Sequence, residues 1–156
     1  MGSWPADRFP VLNDKNHVVT SCKTKIYNCI AWAMGENDRK WWPIEGDYYW
    51  PTDDRTPTVA TFERAFELRG FKRCPNGDWE PGVEKVVIYT KGSGRKMEVT
   101  HAARQLGPNK WTSKMGDLED ITHDSPQNLR GPGYGKPYAY YGRTVKGTPS
   151  DAPSEA

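Results

Sequence analysis

The chain has 156 residues, 22 Lys and Arg against 20 Asp and Glu, and a formal charge of +2. That length fits one domain, which needs no metal or disulfide to fold. There is no basic stripe of the kind that binds nucleic acid, and no apolar run of about 18 residues that could cross a membrane.

The three cysteines, Cys22, Cys29 and Cys74, are odd in number and irregular in spacing. Neither a disulfide framework nor a close zinc-ligand pair is signalled, so no metal and no cofactor is expected. The N-terminal "MGSWPADRFP" lacks a basic segment followed by an apolar one. A reducing cytoplasm is the expected location, with export by a route lacking a cleaved signal as the alternative.

Residues 1–20 read as an extended arm that joins the fold through Phe9, Val11 and Leu12. Residues 21–146 read as one domain. Residues 147–156, "GTPSDAPSEA", hold no large apolar side chain and are expected to be a disordered tail.

A first helix is expected over "CIAWAM", with Asn28 as N-cap and Gly35 as its stop. A start at Thr24 is the alternative. Lys40–Pro51, "KWWPIEGDYYWP", is an aromatic loop broken by two prolines and a glycine. Its tryptophans either wall a cleft or fold back over the core. A second helix is expected after Thr56 as N-cap and Pro57, with Val59, Phe62, Ala65 and Phe66 on one face and Gly70 ending it.

Strands are expected at Glu84–Thr90, Met97–Leu106 and Lys110–Met115, with a further one from Tyr134. Gly92–Arg95, "GSGR", reads as a hairpin turn. The order of two helices and then an antiparallel meander predicts an α+β domain.

The chemistry-bearing pair is Cys29 and His101. A cysteine opening a helix meets unpaired backbone N–H groups that favour a thiolate and could hold an oxyanion. A histidine on a strand could take the thiol proton. The opposing reading is a buried, inert thiol and a structural histidine. Trp32 is expected in the core, Cys22 in an exposed loop and Cys74 in a turn.

A cysteine opening a buried helix, followed by a sheet with an early histidine, resembles the papain-like cysteine hydrolases, in particular the compact NlpC type. "NCIAWA" (Asn28–Ala33), "HAARQL" (His101–Leu106) and "WTSKMG" (Trp111–Gly116) also resemble a family of small uncharacterised bacterial domains. The resemblance spans about residues 21–123. It implies a papain-like α+β fold, with the nucleophile helix and a second helix on an antiparallel sheet of at least three strands. It also implies a third polar residue that orients the imidazole. Ser113 is the first choice, and Asp117, Asp120 and His123 are the others.

The expected function is therefore cysteine-dependent hydrolysis of an amide through a thioester. Cys29 is the nucleophile, His101 the base and Ser113 the orienter. Asn28 would help hold the oxyanion, and Trp41 and Trp42 would contact substrate. Expected partners are a peptide, a protein or peptidoglycan, in the setting of a bacterial toxin or effector. Acyl transfer or deamidation at the same site is a variant. A non-enzymatic binding module with an aromatic cleft is the rival class.

Overall fold

The computed structural model describes residues 7–145 apart from Asp14, Glu45, Asp47 and Gly116. The expected tail at 147–156 lies outside the described residues. In chain order the elements are β1 (His17–Val19), α1 (Cys29–Ala33), α2 (Val59–Leu68), β2 (Lys72–Cys74) and β3 (Val83–Lys91). They continue with β4 (Glu98–Gly107), β5 (Lys110–Lys114), β6 (Asp120–His123) and β7 (Lys136–Thr144). The strands form one seven-stranded sheet in the order β1-β6-β5-β4-β3-β7-β2. Every pairing in it is antiparallel.

The pleat of β3 divides the core. Val86 and Ile88 face a cluster with Ile30, Ala31, Phe62 and Phe66 of the two helices. Val87 and Tyr89 point the other way, to Trp111, Met115, Ile121 and Leu129. The N-terminal arm closes that second cluster with buried Phe9 and half-buried Leu12, while Val11 stays exposed. The loop from Gly131 to Gly135 passes so close to the arm that a side chain has no room. A Cβ on Gly131 would lie 2.6 Å from the carbonyl oxygen of Arg8.

This architecture overturns the papain-like α+β expectation. The sheet dominates, and α1 has five residues and α2 ten. Met34 caps α1, and Gly35 at φ +82° turns the chain away, so no second turn forms. The stretch after it folds as an aromatic plug instead of a helical layer. Trp41 and Trp50 are buried with rings 6.2 Å apart, and Trp50 meets Phe62 at 4.9 Å.

Three short strands, β1, β2 and β6, have only three or four residues each, too few to carry a sequence pattern. They pair at or next to the sheet edges, where partners at long sequence distance make the strand. Cys74 accordingly ends a strand, pairing with Tyr140. The second helix is capped by Thr58, whose hydroxyl accepts from the Thr61 N–H, and not by Thr56. No helix among the described residues is long and apolar enough to cross a membrane.

Candidate active site

Cys29 is the first residue of α1, and Asn28 caps the helix by accepting from the Ala31 N–H at 3.2 Å. The helix lies on β4 and β5. Burial leaves the thiol 6% exposed and pushes its pKa up to about 11. Backbone groups of Ala102, Ile30 and Cys29 itself oppose that rise, and Lys114 adds a smaller effect. A group that favours a thiolate donates to it, so the backbone N–H groups of these residues lie toward the thiol, which places Cys29 beside Ala102 of β4. The β4–β5 ladder has already ended there, its last pair being Arg104 with Thr112.

His101 belongs to the opposite face. It pairs with Tyr89, while its neighbour Ala102 pairs with Ile88 and faces the helices. The imidazole is wholly buried. Tyr134 stacks on it at 4.0 Å with the planes 7° apart, and Tyr89 meets it edge-on at 5.1 Å. Neither ring nitrogen has a hydrogen-bond partner. Burial, with a smaller effect from His123, holds its pKa well below the ordinary range. Thiol and imidazole thus lie on the two sides of β4, both neutral and with no hydrogen bond between them.

Tyr134 is fixed in this position. The Thr100 hydroxyl donates to its carbonyl at 2.5 Å, and Gly131 and Gly135 exchange backbone hydrogen bonds of 2.9 and 2.7 Å around it. The strand expected from Tyr134 begins at Lys136 instead, which leaves Tyr134 free of the ladder and over His101. The G-P-G-Y-G spacing was the available signal.

Ser113 does not orient His101. Its hydroxyl lies 2.8 Å from Nε2 of His123, whose Nδ1 lies 2.8 Å from the Ser125 carbonyl oxygen. A carbonyl can only accept, so Nδ1 carries the proton and Ser113 donates to Nε2. The other orienter candidates are also engaged elsewhere. Asp117 is exposed and paired with Lys40 at 2.9 Å, and Asp120 accepts from the Tyr27 hydroxyl at 2.6 Å.

Asn28 is a clamp. Its oxygen accepts from Trp41 N–H at 3.1 Å and its amide donates to the Trp41 carbonyl at 2.8 Å, so the loop is tied to the helix start. Trp41 is not available to substrate. It is fully buried, its Nε1 donates to Glu36 at 2.9 Å, and Arg69 lies over its ring. Burial raises the Glu36 pKa, but Arg39, Trp41 and Arg69 outweigh it and bring the carboxyl down to about 2. Trp42 is half-buried and, with Asn28, Lys40, Ile44, Tyr48 and Asp117, lines a shallow groove of about 360 Å³. That groove opens beside the residue preceding Cys29. Trp32 is half-buried and donates to Thr112 at 2.9 Å, and Cys22 is exposed.

A family described as a domain of unknown function, DUF7689, matches residues 18–142. The chain belongs to that family. No curated protein and no solved structure matches the chain. The DUF7689 match covers Cys29, His101, Tyr134 and the groove at Trp42, and it assigns no activity to them.

Lys114 completes the surroundings of the thiol. It is buried on the helix face, donates to the carbonyls of Thr24 at 2.8 Å and Leu118 at 2.6 Å, and lies over the Tyr27 ring. Burial lowers its pKa. Its charge favours the Cys29 thiolate, and no sequence pattern marked it.

Proposed function

We propose that this domain is a cysteine-dependent hydrolase of amide bonds, with Cys29 as nucleophile and His101 as base. The observation that carries this reading is the His101 ring. It is fully buried with both nitrogens unpartnered, one residue before Ala102, which lies beside Cys29. Each unsatisfied buried polar group costs ~1–3 kcal/mol, a cost that a purely structural residue would avoid.

In the resting state both groups are uncharged, because burial disfavours the thiolate and the imidazolium alike. Reaction then starts from the neutral pair. As sulfur attacks the carbonyl carbon, the S–H proton passes through a bridging water to His101, past the point where the β4–β5 ladder has ended, and His101 returns a proton by the same route to the leaving amine. The N–H groups around the sulfur stabilise the oxygen that gains charge. Water then releases the acyl group from the thioester. The groove at Asn28 and Trp42 is the approach for substrate. An amide in a peptide, a protein or a peptidoglycan stem meets these requirements, and a delivered toxin or effector is a fitting setting.

The test is acylation by p-nitrophenyl acetate, followed by peptide mapping. A burst of p-nitrophenolate with one acetyl group on Cys29 is expected, absent in Cys29→Ala and slowed by about 10²-fold or more in His101→Asn. Acetylation confined to Cys22 or Cys74, or a rate indifferent to His101, overturns the reading.

A further inference from the structure

A second cleft lies away from the thiol, and the reading above does not use it. It has a volume of about 540 Å³, within the range of small-ligand sites. Trp79, Trp111, Tyr140 and Gln105 are among the residues that line it. Trp79 is 40% exposed, whereas Trp111 is buried.

The loop bearing Gly77 lies directly on the two inner rings. A Cβ there would meet Tyr140 at 2.7 Å and Trp111 at 3.0 Å. The backbone can approach this closely only because residue 77 is glycine. That approach sets the Gly77 carbonyl 2.7 Å from Gln105, which must donate through Nε2. The amide orientation is thereby fixed. Its other end, Oε1, is buried and has no partner. Gln105 itself is 7% exposed.

An immobilised acceptor without a protein donor suits a ligand that brings a hydrogen. The described lining residues include no lysine or arginine, so an anion finds no counter-charge. Asn109 and Gln127 present amides that both donate and accept, and Asp78 and Asp124 add exposed acceptors. Hydroxyl groups also donate and accept. Aromatic faces beside such groups suit the C–H faces of a pyranose ring.

We propose that this cleft binds a neutral saccharide. One sugar ring lies on Trp79, and a hydroxyl donates to Gln105 Oε1. The site is separate from Cys29 and His101, so it holds whether or not the thiol chemistry does.

The test is calorimetric titration of the full chain with cellohexaose, maltohexaose and chitohexaose, with tryptophan emission read in parallel. At least one oligosaccharide is expected to saturate and to alter the emission. Trp79→Ala, at an exposed position, should weaken that binding about tenfold or more while the melting curve holds. Gln127→Ala, also exposed, serves as a second variant. No binding of any oligosaccharide up to about 10 mM overturns the proposal, as does binding indifferent to both substitutions. Saturation by a trimethyl-lysine peptide in place of the sugars likewise overturns it, since the acidic groups would then be the recognition element.

Discussion

His101 and His123 lie on the same face of one sheet and are buried to 0% and 2% exposure, yet their surroundings are opposite. His123 has a partner on each nitrogen, Ser113 and the Ser125 carbonyl. His101 has aromatic rings on its faces and nothing on its nitrogens. Burial lowers both pKa values, to about 4 for His123 and well below the ordinary range for His101. The same residue type at the same depth is in one case a tie between β5, β6 and the chain beyond, and in the other a ring held by aromatic faces with both nitrogens unpartnered. Hydrogen-bond satisfaction, and not burial, separates these two histidines.

The sharpest way to break this contrast is to give both residues the same substitution. His123→Phe should cost about 2–4 kcal/mol in urea unfolding, because the Ser113 hydroxyl and the Ser125 carbonyl are left buried without partners. His101→Phe should cost less than about 1 kcal/mol or stabilise, since it removes two unsatisfied groups and keeps a ring under Tyr134. Equal losses would show that His101 has hidden partners.

A smaller effect comes from pH. A histidine whose folded pKa is depressed holds its proton more readily when unfolded. Its contribution to stability is full above the ordinary value of 6.5 and drains as pH falls toward the folded value, about 4 for His123. Unfolding free energy should therefore drop between pH 7 and 5, by up to ~1.4 kcal/mol per unit for each histidine. His101→Phe should remove one histidine's share of that slope. A slope unchanged by this substitution would mean that His101 charges freely in the fold.

The smallest effect concerns the ring over His101. Tyr134→Leu should lower stability by roughly 0.5–1.5 kcal/mol, the scale of one aromatic pair. It should also speed hydrogen exchange at the His101 and Ala102 amides more than at His123. Exchange altered equally at both histidines would mean that Tyr134 supports the whole face and not one site.

Part of the site was readable along the chain. Asn28 before an apolar run is a local cap signal, and the helix does begin at Cys29. The Gly107–Asn109 turn was also local, and Asn109 adopts φ +53° there as turn asparagines do. The hairpin position expected for Ser113 holds, since it lies on β5 and shares its face with Trp111. Its partner was misassigned because β6 was not read as a strand, and β6 supplies His123. The aromatic loop was legible as a loop. The burial of Trp41 and the partial exposure of Trp42 depended on Glu36, Arg69 and Phe62, which approach from other segments.

The sequence by itself determined the local conformations: the cap at Asn28, the stop at Gly35, the long strands around Ile88 and His101, and the turn between Gly107 and Lys110. These follow from side-chain sterics and hydrogen bonds within a few residues. Tertiary structure alone decided that the sheet has seven strands, that Cys29 is neutral against Ala102, and that His123 is satisfied while His101 is not. A short strand forms only when its neighbour supplies the ladder. A pKa or an unmet hydrogen bond depends on atoms that neighbour the group in space, many of them distant along the chain.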